Sequence, residues 1–303
     1  MDAADVPPVL ALLRAASATD GVRPLSEESE LRLQHGGPPG GRDLLVHTAD
    51  GTLAGYARFE GGGPDAEGQL VVHPAHRRRG VGTALVGRLL ELAEGTALDV
   101  WAHGDLPGSA ELLAPRGFSR ARVLLQMRLH LGTAGGAEIE PHPALPEGVR
   151  VQPFRVGRDE AAWLGVNARA FATHPEQGTW TYDDLRLREQ EPWFDPAGFL
   201  LAWRGDPDDD GVLLGFHWTK VHPAGDVADE AVGEVYVLGV APEAQGLRLG
   251  RALTDLGLAH LRGRGLEQVL LYVDEGNTAA VALYEGRGFR RFSVDVSWRR
   301  GSG

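Results

Sequence analysis

The chain has 303 residues, enough for two domains of ordinary size that each bury a core. Its 30 Lys plus Arg against 42 Asp plus Glu leave a formal charge of −12, which weighs against nucleic-acid binding and suits an amine-bearing small substrate. Cysteine is absent, which excludes disulfides, thiolate metal sites and a cysteine nucleophile.

The start, Met1-Asp2-Ala3-Ala4-Asp5, lacks the basic and apolar regions of a signal peptide. No apolar run approaches a membrane span, so a cytoplasmic protein without a membrane partner is expected; the charge speaks for no nucleic-acid partner, and a monomer is the expected state. Leu10, Leu12, Leu13 and Ala16 give residues 9–18 helical periodicity. Beyond Asp20-Gly21 and Pro24, Ser26 caps a short helix carrying Glu27, Glu28, Leu31 and Leu33. After a loop at 36–41, strands at 44–47 and 53–59 meet at an Asp50-Gly51 turn. A loop at 61–64, a buried strand at 69–72, a helix at 82–93 and a strand at 97–103 follow. A short helix at 109–114 and a strand at 121–129 complete the first half.

Residues 132–148, rich in Gly, Pro and Ala, read as a linker between domains 1–131 and 149–303. The order then repeats. Helices at 159–171 and 182–189 precede a hairpin of strands 198–203 and 212–221 around the acidic loop 205–211. A strand at 233–240, a helix at 250–262, a strand at 268–273, a helix at 278–287 and a strand at 289–298 end the chain. Hairpin-like pairs before a single βαβ crossover make each half a mixed-sheet α/β unit, not a doubly wound parallel sheet.

One segment occurs twice. Gln69-Leu70-Val71-Val72-His73-Pro74-Ala75-His76-Arg77-Arg78-Arg79-Gly80-Val81-Gly82-Thr83 is matched by Val237-Leu238-Gly239-Val240-Ala241-Pro242-Glu243-Ala244-Gln245-Gly246-Leu247-Arg248-Leu249-Gly250-Arg251. Val72 aligns with Val240, Pro74 with Pro242 and Gly82 with Gly250, at one offset (240 − 72 = 168). So long a period signals a duplicated domain. A strand that runs through glycines into a helix offers backbone N–H groups and a partial positive charge to phosphate.

The segment resembles the acetyl-CoA pyrophosphate loop of the GNAT acetyltransferases, Arg/Gln-x-x-Gly-x-Gly/Ala. Arg77, Gly80 and Gly82 match it; the second copy keeps Gln245 and Gly250 but has Arg248 at the middle glycine. Asn277-Thr278-Ala279-Ala280-Val281-Ala282-Leu283-Tyr284, followed by Gly288-Phe289, matches a second GNAT pattern. The resemblance implies that Asn277 lies beside the pantetheine and that Tyr284 projects at the thioester sulfur. Aligned on Gly117-Phe118, the first half has Leu113 for Tyr284 and Leu106 for Asn277. At the offset of 168, Glu234 falls opposite Ala66, with Glu67 adjacent. Acyl transfer needs a base for the amine and an acid for the thiolate. Glu234 and Tyr284 supply that pair in the second half alone, so the first half is expected to bind the cofactor without using it.

Longer runs, among them 214–223, 233–240, 174–180, Trp193-Phe194-Asp195-Pro196 and Trp101-Ala102-His103-Gly104, are similar to the mycothiol synthases, tandem GNAT proteins. That resemblance implies acetyl transfer from acetyl-CoA to the cysteinyl amine of an inositol-bearing glucosaminide. It implies substrate contacts from Glu27, Glu176, Lys220, Glu234 and Tyr272, with Glu28 replacing Glu27 if the register slips. Without it, Glu27 and Glu176 read as surface carboxylates. It places acetyl-CoA against Leu238, Gly239 and Val240, the loop Gln245, Gly246, Leu247, Arg248, Leu249, Gly250 and Arg251, and Asn277, Thr278, Ala279, Ala280, Val281 and Ala282. In the first half the contacts are Leu70, Val71, Val72, Arg78, Arg79, Gly80, Val81, Gly82 and Thr83. His73 with His76, and His217 with His222, lack a carboxylate at helix spacing, so no metal is expected. An acetyltransferase for another amine and a non-enzymatic acetyl-CoA sensor stay open as alternatives.

Overall fold

The computed structural model describes residues 3–35, 41–61, 65–132, 139–172 and 177–302. Most of the loops expected at 36–41 and 61–64, the middle of the linker and Glu176 lie outside the described residues. In chain order the main elements are α1 (Val6–Asp20), α2 (Glu27–His35), β1 (Arg42–His47), β2 (Leu53–Glu60), β3 (Asp65–Val72), α3 (Val81–Leu92), β4 (Ala97–Ala102), α4 (Pro107–Leu113) and β5 (Ser119–His130). There follow β6 (Val149–Pro153), α5 (Glu160–Ala170), α6 (Tyr182–Glu189), β7 (Phe199–Arg204), β8 (Val212–His222), β9 (Val232–Val240), α7 (Leu249–Gly263), β10 (Gln268–Asp274), α8 (Thr278–Glu285) and β11 (Arg290–Arg300).

The chain forms two compact units. Unit 1 comprises Met1–Leu125, Asp274–Gly276 and Ser293–Gly303; unit 2 comprises Gln126–Val273 and Asn277–Phe292. The units are therefore not the contiguous stretches 1–131 and 149–303, because the last strand is shared out. Residues of β11 from Ser293 onward belong with unit 1, where Val296–Arg300 pair antiparallel with β4.

In unit 1 the strand order is β1-β2-β3-β4-β11-β5. β3 and β4 are parallel, joined through α3, and β1, β2 and β3 are antiparallel in succession. Val9, Leu12, Leu13 and Ala16 of α1 follow the i, i+3, i+4, i+7 pattern and are buried against Tyr56 and Val71. Leu85, Val86 and Leu89 of α3 cover the other face, over Ala57, Val100 and Trp298. Each fully buried Val or Leu contributes about 1.5–3 kcal/mol.

In unit 2 the order is β5-β10-β9-β8-β7-β6, with β9 and β10 parallel and joined through α7. Edge strand β6 was not anticipated from the sequence. Its five residues pair only with β7 and end at Pro153, which cannot donate to a further ladder. One face packs on α7 through Leu249 and Leu253. The other packs on α5 and a cluster of rings in which Phe199 stacks on Trp218 at 4.3 Å and on Phe154 at 4.4 Å. That ring cluster braces the strands that carry the catalytic candidates.

Candidate active site

Both repeated loops leave a parallel strand and enter a helix whose first N–H groups have no acceptor within the helix. Ala84 N–H bonds Gly80 O, and Ala252 N–H bonds Arg248 O. The amides of Val81, Gly82 and Thr83, and of Leu249, Gly250 and Arg251, thus stand at the two helix starts, where an anion is favoured. The backbone accounts for Arg248. Arg78 and Gly80 have φ of 59° and 86°, and their counterparts Gly246 and Arg248 have 79° and 61°. The loops share one path with two left-handed positions, and glycine and arginine have exchanged places on it. A Cβ at Gly80 or Gly246 would meet nothing within 4 Å. Arg248 therefore carries left-handed strain of about 1–2 kcal/mol rather than a clash.

Side chains around the first loop divide their tasks. Arg77 donates to both oxygens of Asp20 at 2.7 Å and to Val72 O at 3.2 Å, so it fastens the loop to the end of α1. Arg78 reaches Glu111 at 2.6 Å, and Arg79 is exposed. Arg116, not anticipated, donates to Thr83 Oγ1 at 2.9 Å. The loop opens on a cleft of about 750 Å³ within unit 1, bounded by residues 70–72, the end of β4 and α4. That volume suits a bound small molecule.

The strands part differently in the two units. β3 pairs with β4 as far as Gln69–Trp101, and beyond that residues 70–72 pair only with β2. In unit 2 the parallel pairing ends at Val235–Leu271. The next residue, Tyr236, is a β-bulge: Trp218 faces Val237 and Thr219 faces Val235. A bulge inserts one residue, turns the strand and inverts the side-chain alternation. A Cβ at Gly233 would touch Leu261 of α7, whereas one at Gly239 would touch Phe216 and Phe171 on the opposite face. Leu238 and Val240 pack towards α7 instead.

This bulge corrects the alignment of Glu234 with Ala66. Upstream of Tyr236 the offset falls to 167, and Glu234 corresponds to Glu67 (234 − 67 = 167). The cross-strand partners agree: Gly55 faces Val72 as Gly215 faces Val240, and Glu60 faces Glu67 as Lys220 faces Glu234, with the partner strand at one offset throughout (215 − 55 = 160; 220 − 60 = 160). Unit 1 thus does carry a carboxylate at the position of Glu234.

Glu234 is 6% exposed. Its Oε2 lies 2.7 Å from His222 Nε2, and His222 Nδ1 lies 2.8 Å from Asp226 Oδ2. Lys220, 5% exposed, holds its ammonium 4.4 Å from the Trp193 ring and 5.4 Å from Tyr236, a cation–π environment that suits a desolvated charge. Arg188 donates to Tyr236 Oη at 2.7 Å and covers Trp180. On β10, Tyr272 is exposed on one side and accepts at its hydroxyl from Gln126 Nε2 at 2.7 Å. Leu270, two residues before Tyr272, is the register partner of Glu234, so the two strands turn Glu234 and Tyr272 to one face.

Asn277 caps α8, its Oδ1 accepting from Ala280 N–H at 3.2 Å, which leaves its amide nitrogen as the donor towards a ligand. Tyr284 follows two turns on, buried with an edge contact to Phe289 at 5.7 Å. Burial pushes its phenol well above the ordinary range, so it stays protonated. Glu27 begins α2 in unit 1 and is half-buried, while Glu28 pairs with Arg32. His222, Asp226 and Gln126 touch the candidate residues and were not anticipated from the sequence. His222 was visible in the sequence only as half of a His pair, and Asp226 sits in a turn with no motif. Among the described residues no cluster of His, Asp or Glu is arranged to hold a metal, and no helix is long and apolar enough to cross a membrane.

In each unit, parallel strands separate in front of a helix N-terminus, the arrangement by which an acyl-CoA can be held along a strand with its phosphates on the helix. This is a tandem acetyltransferase architecture. The chain belongs to the acetyltransferase (GNAT) family, whose pattern matches residues 12–118 and 167–289. It is 69% identical over 302 residues to a mycothiol acetyltransferase of Geodermatophilus obscurus, covering 99% of this chain and 96% of that protein. It is 57% identical over 292 residues to a mycothiol acetyltransferase of Thermobispora bispora, covering 96% and 95%. A GCN5-related N-acetyltransferase from Sphaerobacter thermophilus superposes with a TM-score of 0.70 at 26% identity, covering 98% of this chain and 93% of that one. A tandem GNAT protein from the clavulanic acid biosynthesis pathway, at 24% identity, has the same fold with a TM-score of 0.71, covering 100% and 96%. The chain is an acetyl-transferring enzyme with acetyl-CoA as its co-substrate.

Proposed function

We propose that this enzyme is a mycothiol synthase. It moves acetyl from acetyl-CoA to the cysteinyl amine of 1D-myo-inositol 2-(L-cysteinylamino)-2-deoxy-α-D-glucopyranoside, giving mycothiol and CoA, and it does so in unit 2 only. The observation that carries the reading is the buried Glu234, set where β9 leaves β10 and beside a buried lysine. The acceptor is taken from the full-length likeness to mycothiol acetyltransferases. Glu234, Lys220 and Tyr272 bind the acceptor, whose ammonium and hydroxyls suit carboxylate and phenol partners.

Glu234 accepts a proton from the acceptor ammonium, directly or through a water, and the freed nitrogen attacks the thioester carbonyl. Backbone N–H groups of Leu238 and Val240 polarise that carbonyl. The carbon–sulfur bond then breaks, Tyr284 gives its proton to the CoA thiolate, and the acetylated nitrogen gives up its surplus proton, which restores the phenol. The loop from Gln245 to Arg251 takes the pyrophosphate, with Asn277 and the first turn of α8 along the pantetheine.

Unit 1 holds a second acetyl-CoA in its cleft without consuming it. Leu113 stands for Tyr284 and Leu106 for Asn277. The neighbourhood of Glu67 is filled by Gln69, which donates to Glu67 at 3.1 Å and to Ser26 Oγ at 2.9 Å and accepts from Ser26 N–H at 2.7 Å. On this reading the enzyme acts as a cytoplasmic monomer.

The test follows acetylated product by mass for the purified enzyme with acetyl-CoA. Its acceptors are the cysteinyl glycoside, the same glycoside lacking cysteine, and an aminoglycoside. Turnover selective for the cysteinyl amine is expected, and Glu234→Gln should lower kcat by about 10²-fold or more with little change in acetyl-CoA affinity. Equal turnover of all three amines would remove the acceptor assignment, and an undiminished Glu234→Gln enzyme would remove the base.

A further inference from the structure

Behind Glu234 lies a polar group to which the proposed transfer gives no role. The His222 side chain is 4% exposed and stands between two carboxylates, with Nε2 at 2.7 Å from Glu234 Oε2 and Nδ1 at 2.8 Å from Asp226 Oδ2. An ionised carboxylate only accepts hydrogen bonds, so both ring nitrogens must carry protons for both contacts to be bonds. The ring is then an imidazolium.

The charged groups facing it are Asp226 from the turn after β8, Glu234 from β9 and Lys220 from β8 itself. Burial pulls the imidazole down, and Lys220 acts in the same direction. The hydrogen bonds that the ring donates to Asp226 and Glu234, with the charge of Glu234, outweigh both and hold the ring above its ordinary value.

We propose that His222, kept protonated by Asp226, is a positioning residue that ties down Oε2 of Glu234 so that the acceptor's proton is received at Oε1. The inference rests on Glu234 as the proton acceptor. In the step, an N–H bond of the ammonium breaks and its electron pair stays on nitrogen. An O–H bond forms at Oε1, and His222 keeps both of its protons throughout. The imidazolium also sets a positive charge against the carboxylate in a site nearly closed to water. A variant that lacks this charge is expected to show an acid limb of its rate profile displaced upward.

The experiment measures kcat/KM against pH, and KM for acetyl-CoA, in the parent enzyme and in His222→Gln, Asp226→Asn and Glu234→Gln. In His222→Gln an amide can still donate, but the charge is gone. The acid limb should shift up by about one pH unit or more, and kcat at pH 7 should fall about tenfold, with KM for acetyl-CoA unchanged. Asp226→Asn should shift the limb the same way by less, and it decides the matter if His222→Gln does not fold. An acid limb within about 0.3 unit of the parent in the folded variants overturns the role of His222. Full turnover in Glu234→Gln overturns instead the assignment of the base, so the two failures are distinct.

Discussion

His217 makes the stability of unit 2 depend on pH in a way that can be worked out. It lies on β8, fully buried, with Nδ1–H donating to Leu253 O of α7 at 2.7 Å and Nε2 without a partner among the described residues. Burial pulls its pKa down to about 4; the bond to Leu253 opposes this and the neighbouring His260 adds to it. The folded state thus holds the ring neutral over a range where the unfolded chain, near 6.5, binds a proton. Stability rises with pH wherever the unfolded state binds more protons, so this contribution is complete above about pH 6.5 and is lost as pH falls towards 4. Integrated between pH 7 and 4.5, the loss is about 2.5 kcal/mol. Urea denaturation followed by tryptophan fluorescence, in the parent and in His217→Leu at both pH values, isolates it. Carboxylate contributions are common to both proteins and cancel in the double difference. The variant is expected to lose about 2–3 kcal/mol less than the parent on acidification, whatever its stability at pH 7. Equal losses would refute the reasoning and mean that the ring finds a partner for its second proton.

Two further outcomes concern the site itself. Arg248→Gly should leave the melting temperature nearly unchanged, because relief of left-handed strain is offset by the entropy glycine loses on folding. Acetyl-CoA binding, read by calorimetry, should weaken about fivefold as a charged donor disappears; tighter binding would show the side chain to be an obstacle. Tyr284→Phe should cost about tenfold or more in kcat with KM for acetyl-CoA preserved, and a smaller loss would assign protonation of CoA to solvent.

Most elements of both units were legible in the sequence because their signals are local. The apolar period of α1, the Asp50-Gly51 turn and the strand-to-helix glycine loops each sit within a dozen residues. The first four residues of β3, Asp65 to Gly68, escaped notice because Asp and Gly are poor strand formers whose pairing is decided by β2 and β4. Glu234 and Tyr284 stood out through resemblance, but the relation of Glu234 to Glu67 did not. A single inserted residue at Tyr236 changes the offset by one over a few positions, and an ungapped alignment has no means to see it. The pairing of Asp226 with His222 was hidden for another reason: it depends on how a turn folds back on the end of a strand. Arg77 shows the converse, a motif residue whose charge is committed to Asp20.

The last strand has a consequence for how the protein comes to be. Val296 of β11 sits opposite Ala102 of β4, a separation of 194 residues (296 − 102 = 194). At about 5–20 residues per second, a ribosome that has released β4 needs roughly 10–40 s more to deliver its neighbour. Throughout that interval the nascent β4 has an unfilled edge of the kind that recruits other strands. Unit 1, first to be made, is therefore among the last parts to be finished. Slow steps in refolding should report there, and a premature stop near residue 290 would damage the half of the protein synthesised earliest.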